Sequence, residues 1–89
     1  MQILLVEDHP DRAEVMSRIL RSKGFECEIA ADCKGGMSAF KAGHFDLVVL
    51  DIKLPDGDGC AFLPMLTQMR PVKSIATSAW PLYQNFNRI

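Results

Sequence analysis

The sequence is short of the features that mark a membrane protein, a polyanion binder or a disulfide scaffold. No apolar run approaches the roughly 18 residues of a membrane-spanning helix, and no basic, apolar and small-residue signal peptide opens the chain. The first apolar run, Ile3-Leu4-Leu5-Val6, stops at once on Glu7-Asp8 and is expected to be a strand. Net charge is only −1, so nothing calls for nucleic acid or an anionic membrane as a direct partner. The three cysteines, Cys27, Cys33 and Cys60, form neither an even set nor a CxxC pair. That argues against disulfides and structural zinc and suits reduced thiols in a cytoplasm. There is no repeat, low-complexity tract or linker, and the 89 residues are expected to form one small domain, 1–89. A chain of this length buries only roughly 60–65% of its unfolded surface.

What the chain does have is alternation. Residues 2–6 and 46–51 are continuous apolar runs, the pattern of strands covered on both faces in a parallel sheet. Phe25, Cys27 and Ile29 instead alternate with Glu26 and Glu28, as in a half-exposed edge strand. Pro10 suits the first turn of a helix whose apolar positions are Ala13, Met16, Ile19 and Leu20, with Arg12, Glu14, Arg18 and Arg21 elsewhere and Gly24 as the stop. Asp32 can cap a second helix with Cys33, Met37 and Phe40 on its apolar face and Gly43 at its end; Gly35 and Gly36 should weaken it. A loop with Pro55, Gly57 and Gly59 leads to a third helix carrying Phe62, Leu63, Leu66 and Met69. Pro64 belongs to its first turn or kinks it. The five methionines are expected at helical positions as core filler. Val72 to Ser78 forms a fourth strand, and Tyr83, Phe86 and Ile89 keep helical spacing in the tail. Such βαβαβαβ order implies parallel strands.

In a parallel sheet the strand ends meet at one edge, where open α/β folds place their ligand chemistry. Strand one ends in Glu7-Asp8, strand three in Asp51 and strand four in Thr77-Ser78. Two like charges about 4 Å apart repel by about 4 kcal/mol at an effective dielectric near 20. A bound cation or a held proton is therefore expected, and hard oxygen ligands suit Mg2+.

The motifs ILLVEDHP at 3–10, DLVVLDIKLPDGDG at 46–59 and IATSA at 75–79 occur in the order of a known family. The chain resembles the CheY-like receiver domain of bacterial two-component response regulators over residues 2–79. The resemblance implies an α/β, flavodoxin-like doubly wound parallel sheet with strand order 2-1-3-4. It implies a regulatory domain and not a metabolic enzyme, with Asp51 accepting a phosphoryl group from a sensor histidine kinase or phosphotransfer protein. Asp8, Asp51 and the backbone carbonyl of Lys53 would hold Mg2+, Glu7 would act through a metal-bound water, and Ser78 would be the switch hydroxyl, with Thr77 as the fallback.

The same resemblance implies a fifth strand bearing a lysine followed by proline, then a last helix, and these have no counterpart before Ile89. The expectation is a receiver domain incomplete in its fourth helix, with strand four as an open edge. Self-association through that edge and the 80–89 tail, rich in Trp80, Leu82, Tyr83, Phe86 and Ile89, follows. The alternative is a pseudo-receiver, the same fold acting as a phosphorylation-independent binding or dimerisation module. A haloacid-dehalogenase-like phosphatase fails on spacing, because Lys53 stands where its second aspartate is needed, and a calcium loop lacks its ligands.

Overall fold

The computed structural model of the protein describes residues 1–51, 53–54 and 57–77, with side-chain surroundings for 1–50 and 64–74. Strand β1 (Gln2–Val6) leads to helix α1 (Pro10–Ser22), strand β2 (Glu26–Ala30), helix α2 (Cys33–Ala42) and strand β3 (Leu47–Asp51). A two-residue antiparallel ladder, Lys53–Leu54 against Gly57–Asp58, precedes helix α3 (Gly59–Met69) and strand β4 (Lys73–Thr77). The four long strands are parallel in the order β2-β1-β3-β4, the flavodoxin-like order expected. Among the described strands β2 and β4 are the outer ones; in β2 Glu26 and Glu28 are exposed and Cys27 half-buried as expected, but Ile29 is exposed as well, which breaks the alternation.

Both faces of the sheet are covered, which explains the continuous apolar runs. Leu4, Val6, Val48 and Leu50 pack with Phe40 of α2 and Leu66 of α3. Ile3, Leu5 and Val49 pack the other way, against Ala13, Met16 and Leu20 of α1. Val48, Val49 and Leu50 of β3 are fully buried and together contribute on the order of 5–9 kcal/mol, as an upper figure, while Leu47 is only partly buried.

Local chemistry sets the helix ends. Pro10 occupies the first turn of α1, and His9 caps it, its Nδ1 accepting from the Arg12 N–H at 3.5 Å. At the other end Gly24 takes φ +88°, a conformation a side chain would strain. The Gly24 N–H donates to Arg21 O and the Phe25 N–H to Leu20 O, a Schellman closure that also brings Phe25 and Leu20 into one apolar cluster. In α2, Asp32 Oδ1 accepts from the Gly35 N–H at 2.6 Å.

The structure corrects the sequence at several places. Of the five methionines, Met16 is buried and Met37 partly so, but Met1 precedes β1 at the surface, and Met65 and Met69 are exposed. Leu66 takes the inward position of α3, so residues 65 and 69, one turn apart, share an outer face. Helix α3 begins at Gly59, which places Pro64 inside it and beyond the first turn. Lys53, expected on a loop, lies in the short ladder opposite Asp58. Ser78 and the 80–89 tail lie outside the described residues.

Candidate functional site

The register of the two inner strands assembles the carboxyl edge. Val6 pairs with Ala30 on one side and Leu50 on the other. The chain then runs into Glu7 on β1, while Asp51, the last residue of β3, pairs with Thr77, the last of β4. The Glu7 N–H donates to Ala30 O at 2.9 Å and carries the β1–β2 ladder one residue further. Three of the expected positions thus end neighbouring strands on one edge. The side-chain surroundings of Asp51, Lys53 and Thr77 are outside the described set.

Glu7 is the unusual member of the group, a carboxylate only 3% exposed. Its Oε1 lies 2.7 Å from Arg12 Nε, and its Oε2 accepts from the His9 N–H at 3.3 Å. Asp8 is more open, its side chain 39% exposed, with Oδ1 4.0 Å from an Arg12 terminal nitrogen. A buried ionised carboxylate needs a counter-charge and hydrogen bonds, and Glu7 has both.

Repulsion in this cluster is expected to call for a bound cation or a held proton. The structure supplies a third, the guanidinium of Arg12. The signal was available: Arg12 is the third residue of α1, and side chains there lean back toward the helix start, which abuts the strand end. Arg12 lies off the apolar stripe of α1, yet its head group returns to the edge of the sheet.

The donor set at this edge is all hard oxygen, from Glu7, Asp8 and the strand-end Asp51. Mg2+ takes one or two carboxylates directly and otherwise keeps its waters, so these residues fit it. Among the described residues no three His, Cys, Asp or Glu side chains surround a common point; the third carboxylate, Asp51, falls outside that description. An open depression lined by Met1, Phe45, Asp46, Pro71, Val72 and Lys73 lies at the amino edge, the opposite end of the sheet. Its carboxylate is already engaged, because Asp46 Oδ2 accepts from the Gln2 N–H at 2.8 Å.

Comparison with known proteins gives a consistent picture. The profile of the response regulator receiver domain matches residues 3–85. Over 70 residues the chain is 34% identical to the transcriptional regulatory protein BasR of Escherichia coli K12, an overlap of 79% of this chain and 32% of BasR. The chain therefore spans about a third of that relative's length. The CheY-like receiver domain protein of Methanospirillum hungatei superimposes with a TM-score of 0.82 at 32% identity, over 98% of this chain and 72% of that one. The response regulator TrrA of Thermotoga maritima, solved in complex with Mg2+-BeF, gives a TM-score of 0.84 at 28% identity, over 94% of this chain and 74% of its own. Sheet order and sequence likeness lead to one family, and the chain belongs to it: the CheY-like receiver domains of two-component response regulators.

Proposed function

We propose that this chain accepts a phosphoryl group on Asp51 from the phosphohistidine of a sensor histidine kinase or phosphotransfer protein, in a Mg2+-dependent reaction. An Asp51 carboxylate oxygen attacks phosphorus in line, the phosphorus–nitrogen bond breaks with its electron pair returning to the imidazole, and an acyl phosphate forms. Mg2+, when bound, absorbs charge on the equatorial phosphoryl oxygens. Asp8, Asp51 and the Lys53 carbonyl are its direct ligands in this reading, and Glu7 acts through a water. Ser78, or Thr77, is the hydroxyl that reports the new phosphoryl oxygen. The domain is regulatory and works in the cytoplasm; among the described residues no helix is long and apolar enough to cross a membrane.

The observation that carries this proposal is the β1–β3 register, in which Val6 opposite Leu50 leads directly to Glu7-Asp8 on one strand and Asp51 on the next. Family membership and the Mg2+-BeF complex of TrrA support it. Acetyl phosphate with Mg2+, followed by intact mass, is the test. One phosphoryl adduct that disappears without Mg2+ and in Asp51→Asn is the expected result. An adduct that survives Asp51→Asn refutes the assignment.

One observation favours a second reading, a phosphorylation-independent binding module. Glu7 already has Arg12 as a counter-ion, so the acidic edge is compatible with the fold before any divalent ion arrives. No adduct under saturating phosphodonor and Mg2+, in a protein with native circular dichroism, selects that reading. Among the described strands β4 is an outer one, and self-association along it with the 80–89 segment is compatible with either reading; light scattering over a concentration series tests it.

A further inference from the structure

The acidic edge carries its own cation, in a place that helix electrostatics disfavours. The first turn of a helix attracts negative charge and repels positive charge, yet Arg12 is the third residue of α1. Glu7 sustains it there, with Oε1 2.7 Å from Nε and a side chain only 2% exposed. The two partners are unequally buried, because the Arg12 side chain keeps 38% of its surface in solvent. The carboxylate cannot do without a counter-charge, whereas the guanidinium can swing to water at small desolvation cost. Among the described residues, two carboxylates against one guanidinium still leave negative charge for a divalent ion to meet, but less than the bare pair would offer.

We propose that Arg12 is a resident competitor for the divalent cation. Its guanidinium neutralises Glu7 and faces Asp8 while the cation is absent, keeps the acidic edge folded, and sets the Mg2+ concentration at which the site fills. When the cation enters, Arg12 loses its hold on Glu7 and turns outward. This inference rests on the proposed reading of Glu7 and Asp8 as part of a Mg2+ environment.

The test is a Mg2+ titration of the wild type, Arg12→Met and Arg12→Lys, followed by calorimetry and by the NMR resonances of the His9 backbone N–H and the Arg12 Nε–H. Arg12→Met is expected to bind Mg2+ on the order of tenfold more tightly. It should also gain more thermal stability from saturating Mg2+ than the wild type does. Arg12→Lys, which keeps the charge and loses the Nε geometry, should fall between them. In the wild type the Arg12 Nε–H resonance should move along the binding isotherm. Equal or weaker binding by a folded Arg12→Met overturns the proposal, as does an Nε–H resonance indifferent to Mg2+ that demonstrably binds. The wild-type resonance decides alone if Arg12→Met does not fold. A failure of every protein to bind Mg2+ has a different meaning, since it removes the underlying cation-site reading.

Discussion

Arg70 lies over the ring of Phe40, its Cζ 4.6 Å from the ring centroid. The same side chain donates from Nη2 to the carbonyl of Phe40 and, at 2.7 Å, to that of Gly43. One cation from the residue after α3 thus closes the carboxyl end of α2, where free carbonyls and the helix dipole both favour positive charge. Arg70→Ala should lower unfolding stability by about 1.5–3 kcal/mol, combining charged hydrogen bonds with the ring contact. Arg70→Lys should recover less than half, because an ammonium cannot span two carbonyls and a ring with one planar fork. Urea denaturation followed by circular dichroism measures both.

At the opposite end of α2 the Asp32 side chain caps the helix. Asp32→Ala should cost about 1 kcal/mol. Gly35→Ala should not deliver the roughly 1 kcal/mol that its better helix propensity offers, because the added Cβ would stand 3.0 Å from Asp32 Oδ1. Paired thermal melts of the two variants distinguish a cap that matters from a helix end that frays regardless.

The two acidic neighbours should separate under substitution. Asp8 is partly exposed and only distantly paired, so Asp8→Asn should leave stability within about 0.5 kcal/mol of the wild type. It should nevertheless weaken Mg2+ binding by on the order of tenfold or more. Glu7→Gln removes the buried charge opposite Arg12 and should cost about 1–3 kcal/mol without any cation present. Denaturation in chelator and calorimetry with Mg2+ read the two effects independently, and equal stability losses would contradict the burial difference.

Cys27 gives a pH dependence with a definite sign. Burial raises its thiol pKa, and the Arg21 guanidinium opposes that shift without cancelling it. The folded chain then holds the thiol proton after the unfolded chain has released it. This share of stability is complete below the unfolded thiol value and is lost as pH rises through the higher folded one. Stability should fall at alkaline pH, from roughly pH 8.5 upward, less steeply in Cys27→Ala. A thiolate-directed reagent should label Cys27 more slowly than a free thiol when Cys33 and Cys60 are replaced by serine.

Elements whose physics is local were legible in the sequence. Pro10 and Gly24 bracketed α1, Asp32 capped α2, and the unbroken runs of β1 and β3 foretold a sheet covered on both sides. The coming together of Glu7 and Asp51 at one edge followed from parallel topology alone. Less legible was anything decided by which side of a helix faces inward. Met65 and Met69 are apolar, yet Leu66 takes the buried position, and hydrophobicity alone does not rank them. Arg12 and Arg70 were missed for a related reason: a long cationic side chain at a surface position can reach back to a carboxylate or a carbonyl several ångströms away. Residue spacing records where the Cα sits and says nothing of where the guanidinium ends.

The opposed packing of β1 has a consequence for evolution and for engineering. Odd-numbered Ile3 and Leu5 face α1, even-numbered Leu4 and Val6 face α2 and α3, and Glu7 continues the odd series toward α1, where Arg12 waits. Deleting or inserting a single residue in this strand would exchange the two oily layers and swing Glu7 to the wrong helix. Length in β1 is therefore tightly constrained, and insertions that leave the acidic corner intact belong outside this strand.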